Sequence, residues 1–344
     1  MICLGIETSC DETSIAVIER KTDLSLPIIL YHKIFTQDEH IKFGGVVPEV
    51  ASRGHLQILP AMFQDFIDNS KVKMKDISHI ATTTGPGLIG CLTVGSQFGK
   101  GLALANDIPF ISVNHIKAHI LSVKINNKID FPYVAILTSG GHCQIILVNG
   151  YNDMTILSAT ADDSAGEVLD KVARMLNLSP PNGATIEECA DEFTTSNEKL
   201  LENLFKQPKF KIENTMSFSG FKSKARQFIN QHPNILKDDK LKSDFCKTFQ
   251  VAVFKHIIET TSNSIVKLDG IDTIAIVGGV AKNKLLLTSL KNKIPNYNIV
   301  APPPNLCTDN GAMIAFAGIE KVCSVDNFDT ELCATSRSNW SVEE

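Results

Sequence analysis

His115 and His119 stand four residues apart, the spacing in this chain best suited to metal chemistry. On a helix that interval puts both imidazoles on one face, within reach of a single ion. A plain helical surface pair fits the same spacing. Zinc peptidases carry a general-base glutamate directly after the first histidine, as H-E-x-x-H. Here that position is Ile116, so peptidase chemistry lacks its base. Two imidazoles need a further ligand to hold a metal well. Asp309, in Cys307-Thr308-Asp309-Asn310, is the candidate. Its alternative role is N-cap of the helix that follows. Two imidazoles and one carboxylate leave coordination positions open, as in non-haem iron and Lewis-acid sites.

Tight turns form a second group: residues 8–13, Gly85-Pro86-Gly87, residues 138–142 and Gly278-Gly279. Glycine lets a backbone approach a phosphate, and successive N–H groups make an anion nest. No G-x-x-x-x-G-K-[ST] loop occurs, and no G-x-G-x-x-G follows the first strand, so neither a P-loop nor a simple dinucleotide fold is indicated. Acidic residues accompany the turns. Asp11 and Glu12 sit in the first hairpin turn and are guesses for a general base. Asp170 lies on a polar helical stripe, where Arg174 could pair with it. Glu187 follows Asn182-Gly183 and could cap a local helix. Either carboxylate could instead accept hydrogen bonds from a ribose or a polar acyl group. Lys206, Lys209, Lys211, Lys222, Lys224 and Arg226 interleave with Phe205, Phe210, Phe218 and Phe221. A charge run is usually a solvated face, and this mixture is also compatible with RNA backbone contact plus base stacking.

The elements that must position these residues alternate between strand-like and helix-like, which indicates α/β architecture. Residues 2–6 and 15–18 read as strands around a hydroxyl-rich turn. The same grammar recurs at 133–137 and 145–148 around Thr138-Ser139-Gly140-Gly141-His142, which suggests a duplicated unit. Residues 77–83 read as a strand. Residues 88–106 read as a helix whose glycines imply close packing on a sheet, and 109–113 as a short strand before His115. Ala165, Val168, Leu169, Val172 and Leu176 form one apolar helical face. Further on, 249–266, 283–290 and 310–320 read as helices, and 273–277 and 299–301 as strands. Segment 326–344 carries few structural signals. The expected domains are a first lobe at 1–120, which a helix at 310–325 could complete. A second lobe at 121–310 carries a helical, Lys-rich insertion at about 179–245.

Composition bounds the rest. With 344 residues, 43% hydrophobic and 21% charged, the chain suits about two globular domains. The net charge of −5 argues against a general nucleic-acid-binding surface, so RNA contact needs local basic patches or a partner. Nine widely spaced cysteines without a C-x-x-C pair suit reduced thiols. No apolar run approaches the ~18–20 residues of a membrane span. The N-terminus reads as a first strand and not a targeting segment, so the expected location is the cytoplasm, with no membrane partner.

Taken together, LGIETSCDET at 4–13, GGVVPEVASR at 44–53, GPGLIG at 85–90, the His115/His119 pair, SGGH at 139–142, DDSAGEVLDK at 162–171, SFSGFK at 217–222, GGVAKN at 278–283 and CTDNGAM at 307–313 resemble one family closely. It is the TsaD family of tRNA N6-adenosine threonylcarbamoyltransferases, formerly called O-sialoglycoprotein endopeptidases. The resemblance implies a two-lobed actin/Hsp70/sugar-kinase-like (ASKHA) fold, with duplicated RNase H-like domains and a ligand cleft between lobes. It implies an acyltransferase that moves the threonylcarbamoyl group of threonylcarbamoyl-AMP onto N6 of an adenosine. That adenosine lies just 3′ of the anticodon in tRNAs reading A-starting codons. His115, His119 and Asp309 match the family's metal ligands, with Fe2+ expected first and Zn2+ the alternative. Thr138, Ser139, Gly140, Gly141 and His142 match the substrate loop. Asp170, Gly183, Glu187 and Asn283 match further contacts to the adenylate, and ATP is a further candidate ligand. The implied partners are tRNA, a paralogous TsaB-type subunit and a small TsaE-type ATPase, in a bacterial cytoplasm. Lys117, Asn182 and Cys143 depart from the family pattern. The rival readings are an ATP-dependent small-molecule kinase of the same fold and a non-catalytic scaffold paralogue.

Overall fold

A computed structural model describes residues 1–22, 25–43, 45–191, 201, 204–205 and 215–344. Gly44, Lys206, Lys209, Phe210 and Lys211, singled out in the sequence, lie outside the described residues. In chain order the elements are β1 (Ile2–Glu7), β2 (Glu12–Glu19), β3 (Ile28–Thr36), α1 (Pro48–Asn69), β4 (His79–Gly85), α2 (Ile89–Asn106), β5 (Phe110–Asn114) and α3 (His115–Ser122). They continue with β6 (Tyr133–Thr138), β7 (Cys143–Val148), β8 (Met154–Thr160), α4 (Ala165–Met175), α5 (Gly183–Asp191), β9 (Thr215–Met216), α6 (Ser219–Gln231) and α7 (Asp239–Ile265). The last are β10 (Thr273–Val277), α8 (Lys284–Lys293), β11 (Asn298–Val300) and α9 (Gly311–Cys323).

The chain forms two compact units. The first holds Met1–Phe131, Val148–Thr155 and Pro302–Glu344, and the second holds Pro132–Leu147 and Ile156–Ala301. This division departs from the sequence boundaries. Residues 121–131 stay with the first unit, because α3 runs on through a buried turn at Val123–Ile125. Segment 326–344, which carries few structural signals in the sequence, is bound to the first sheet: Glu331 N donates to Phe110 O at 2.9 Å and Arg337 N to Thr84 O at 2.7 Å.

In the first unit the strand order is β3-β2-β1-β4-β5. β1 and β2 pair antiparallel, with Gly5 opposite Ala16, and β4 runs parallel to β1 and β5 to β4. β1 is almost wholly buried, which is why it reads as an unbroken apolar run and not as an alternating one. Leu4, Ile6, Val17, Leu59, Phe66 and Phe110 form the heart of the core. Glycine permits the close helix–sheet packing expected for residues 88–106: a Cβ on Gly99 would collide with the Thr82 side chain beneath it. Strand β3 and helix α1 were not anticipated. β3 is largely exposed and α1 carries an internal Pro60, so neither shows a plain pattern.

In the second unit the order is β11-β10-β6-β7-β8-β9, with β10 parallel to both β6 and β11. Counted outward from β6, the neighbours repeat those of β1: the next two strands in sequence on one side, later parallel strands on the other. The duplication hinted at by the two hairpins is thus a repeated topology, with β9 added at an edge. The expected apolar face of α4 is buried through Val168, Leu169 and Val172, and Ser164 caps the helix by accepting from Glu167 N at 3.1 Å.

The reading of Phe205, Phe218 and Phe221 as base-stacking residues is corrected. All three are buried, and Phe205 packs edge-on against Phe245 and Phe249 at ring distances of 5.6 and 5.3 Å. Desolvating those rings stabilises the unit's core and leaves no face for a base. Of the cations beside them, Lys222 pairs with Asp163.

Gly311 opens α9 where a Cβ would lie 2.7 Å from Ala16 N and 2.8 Å from Gly5 O. Gly311→Ala is therefore expected to lower unfolding stability by about 1–3 kcal/mol through overpacking. Urea denaturation reads this, and an unchanged midpoint would contradict the close packing.

Candidate metal centre and substrate loops

Helix α3 begins where β5 ends. Asn114, the last residue of β5, caps it through Oδ1, which accepts from Ile116 N at 2.8 Å and Lys117 N at 3.1 Å. His115 therefore takes the first helical position, and His119 follows one turn later on the same face. Their rings are 4.7 Å apart and nearly perpendicular, at 89°. Nε2 of His119 lies 2.9 Å from Asp309 Oδ1, and Nε2 of His115 lies 3.6 Å from it. The three candidate ligand atoms are all within 4.8 Å of one another. Asp309 does not cap α9. Asn310 does, its Oδ1 accepting from Met313 N at 2.9 Å, so the Asp309 carboxylate is left to face the histidines.

Behind His115 stands Glu7, wholly buried at the end of β1. Its Oε2 lies 3.2 Å from His115 Nδ1 and accepts from Thr83 Oγ1, while its Oε1 accepts from Ser9 N at 2.5 Å. Ser9 Oγ is also 3.3 Å from His115 Nδ1. Sequence reasoning passed over Glu7 and Asn114. The available signals were a carboxylate closing an apolar strand and an asparagine standing directly before a helix.

The electrostatics are those of a crowded acidic pocket. Burial opposes the charged form of Glu7, yet His115 holds its carboxyl below the ordinary range. Burial likewise disfavours the His115 imidazolium, but Asp309 and Glu7 overcome it and raise the imidazole to about 9. Glu12, the first residue of β2, is pushed well above the usual carboxyl range by burial and by Asp309, Asp11 and Glu7.

This donor set fits a divalent cation. Two ε nitrogens and a carboxylate oxygen converge, and a second carboxylate holds the far nitrogen of His115, an arrangement typical of metal-bound histidine. The charge repulsion felt by Glu12 is what a cation would relieve. His119 Nδ1 is buried with no partner among the described residues.

The other sequence candidates lie in the second unit, around the carboxyl ends of β6 and β10. Thr138 closes β6, its Oγ1 donating to Val277 O at 3.4 Å. The loop after it is tied internally: Ser139 N donates to His142 O at 2.8 Å, and His142 N to Ser139 Oγ at 3.0 Å. Ser164 Oγ donates to Gly140 O at 2.6 Å, which fastens the loop to the start of α4. The N–H groups of Gly140 and Gly141 have no partner among the described residues, and open space surrounds both positions. Asp170 accepts from Gly183 N at 2.9 Å, at the first residue of α5. Glu187 accepts from Lys284 N at 2.9 Å, at the first residue of α8. Asn283 caps α8 and also donates from Nδ2 to Gln250 Oε1 at 3.3 Å. Burial pushes the Asp170 carboxyl up to about 6, against the lowering pull of Gly183 N–H and Arg174.

Fold and site together define an α/β protein of the ASKHA class with a histidine–histidine–aspartate cluster. Among solved structures, component A of (R)-2-hydroxyglutaryl-CoA dehydratase from Acidaminococcus fermentans matches at a TM-score of 0.54 and 14% identity, covering 94% of this chain and 99% of that one. HypF of T. kodakarensis matches at 0.59 and 14%, covering 94% and 48%. At such identity the likeness concerns the fold alone. The TsaD family model, described as tRNA N6-adenosine threonylcarbamoyltransferase, matches residues 28–316. A protein of that name from Orientia tsutsugamushi (strain Boryong) is 38% identical over 356 residues, covering 100% of both chains. One from Rickettsia massiliae (strain Mtu5) is 39% identical over 352 residues, covering 99% of this chain and 98% of its own. This chain belongs to the TsaD family, a family of transferases that modify tRNA.

Glu7→Gln is expected to weaken divalent-metal binding by about 10-fold, because the amide holds His115 less firmly than the carboxylate does. Isothermal titration with Co2+ measures it, and unchanged affinity would remove Glu7 from the site. Asp170 gives a separate test. With its folded pKa near 6, above the unfolded value, the unfolded chain binds fewer protons in between. Its contribution to stability is therefore fully present below about pH 4 and is lost as pH rises through 6. Asp170→Asn keeps an acceptor for Gly183 N and should flatten that decline in a series of urea midpoints. A variant with the wild-type slope would refute the shift.

Proposed function

We propose that this chain transfers the threonylcarbamoyl group of threonylcarbamoyl-AMP to N6 of the adenosine 3′ of the anticodon, in tRNAs that read A-starting codons. The observation that carries the reading is the convergence of His115 Nε2, His119 Nε2 and Asp309 Oδ1. In the reaction the N6 amine attacks the carbamoyl carbon of the mixed anhydride. A C–N bond forms, the C–O bond to phosphorus breaks, AMP leaves, and N6 gives up a proton. The amine is a weak nucleophile, since its lone pair is delocalised into the ring, so the donor must arrive activated.

Each group then has a role. His115, His119 and Asp309 hold one divalent metal, Fe2+ being favoured and Zn2+ the alternative. When bound, the metal supplies Lewis-acid charge for an anionic donor oxygen. The open N–H groups of Gly140 and Gly141 bind oxygen that gains negative charge. The N–H of Ser139 is not part of that set, because it is already given to His142 O. Thr138, Ser139 and His142 shape this loop. Asp170, Gly183, Glu187 and Asn283 contact the adenylate, with ATP as an alternative occupant. Asp11 and Glu12 handle the proton released from N6.

With a net charge of −5 the chain as a whole repels a polyanion, so tRNA contact calls for local basic patches or a partner. A paralogous TsaB-type subunit and a small TsaE-type ATPase are the proposed partners, and the cytoplasm the proposed location. Among the described residues no helix is long and apolar enough to cross a membrane.

The double variant His115→Ala/His119→Ala is expected to lose both bound metal and tRNA modification. Metal analysis of the purified chain and nucleoside analysis of tRNA from complemented, depleted cells read the two effects. Full modification by a metal-free double variant would refute the role of the pair. Unchanged tRNA in depleted cells would instead favour a small-molecule kinase or a scaffold.

A further inference from the structure

We infer that segment 330–342 is a strap that positions the histidine ligands, acting through Asn114. This rests on the metal-site reading above and adds to it a part of the chain beyond the residues matched by the family model.

The strap runs along the first sheet on the side of β5. Phe110 N donates to Thr330 Oγ1 at 3.0 Å, and Glu331 N returns a bond to Phe110 O at 2.9 Å. Arg337 N donates to Thr84 O at 2.7 Å, and Gly87 N to Ser338 O at 3.2 Å. The strap then reaches Asn114. The Asn114 Nδ2 group donates to Trp340 O at 3.3 Å and Ser341 O at 3.2 Å. Val342, two residues beyond Trp340, is buried at 3% exposure and anchors the end.

Asn114 thus has two employers. Its Oδ1 caps α3 and sets where His115 and His119 begin, while its Nδ2 is held by the strap. Both ends of a wholly buried amide are satisfied, so its rotamer is fixed. Losing the strap bonds leaves a buried N–H pair seeking partners, at the expense of the cap geometry. A second tie reaches the other ligand-bearing element. Lys321 of α9 bonds Glu331 at 2.7 and 2.8 Å and Ser112 O at 2.9 Å, and Ser112 N donates to Glu331 Oε2 at 2.8 Å. Glu331 therefore pins α9, which follows Asp309, to β5, which precedes His115. The strap fastens both sources of ligands to each other.

The test titrates the full chain with Co2+, following its visible absorption, in wild type, Asn114→Asp, Val342→Asp and Val342→Leu. Asn114→Asp keeps the cap acceptor and removes the two donor bonds to the strap. Its added negative charge would by itself attract a cation, so a loss of affinity reports the strap. Val342→Asp detaches the end of the strap without touching Asn114. Both are expected to weaken Co2+ binding by about 10-fold or more, while Val342→Leu stays near wild type. Hydrogen exchange should quicken at the Ile116 and Lys117 amides in both weakened variants. Wild-type affinity in both, or unchanged exchange at those amides, overturns the strap alone. A wild-type chain that binds no Co2+ overturns the metal reading and the strap with it. If Val342→Asp does not fold, Asn114→Asp decides.

Discussion

Two asparagine side chains, Asn114 and Asn310, fix where the ligands of the first unit point. Each caps a helix by accepting backbone N–H groups, Asn114 for α3 and Asn310 for α9. Helix N-termini carry donors that must be satisfied, and asparagine is among the residues best suited to do it. Because the caps fall to the asparagines, the neighbouring His115 and Asp309 are spared that work. Both are left at the mouths of helices, with side chains directed at one another. β5, which delivers His115, is buried along its whole length, and the glycine contact at Gly311 lets α9 lie directly on the β1–β2 hairpin.

That placement concentrates charge. Glu7 and Glu12 lie near Asp309 in a region where burial opposes the charged form of a carboxylate. The His115 imidazole offsets part of this, and it is held charged by two of those same carboxylates. An ion pair of this kind is costly to desolvate and is stable only while every partner is present. A divalent cation held by His115, His119 and Asp309 would relieve that crowding of carboxylates.

The second unit repeats the topology but not the chemistry. Its hairpin loop carries no metal-ligand cluster among the described residues, and it offers instead the unpartnered N–H groups of Gly140 and Gly141. Around them, carboxylates are used as caps: Asp170 at the start of α5 and Glu187 at the start of α8. The two units thus share one topology, while the groups at the strand ends differ: a histidine–histidine–aspartate cluster in one and open backbone N–H groups in the other.

Much of this was legible in the sequence. The i,i+4 histidines, the paired hairpins and the apolar face of α4 are local patterns, set by helix and strand periodicity, and the structure has them where spacing placed them. Motif order also sufficed to name the family. What spacing could not decide was the partner of each side chain. Glu7 and His115 are 108 residues apart, and Asp309 and His119 are 190 apart. Only the fold brings such pairs within hydrogen-bond reach. The same limit left Phe205, Phe218 and Phe221 open between base stacking and other roles, since an aromatic beside lysines looks alike whether it faces solvent or core. It also hid the strap, whose bonds to the sheet are made largely by backbone groups that every sequence possesses. Residue type and local period are written in the chain, whereas burial, charge balance and backbone pairing across long separations exist only once the chain has closed on itself.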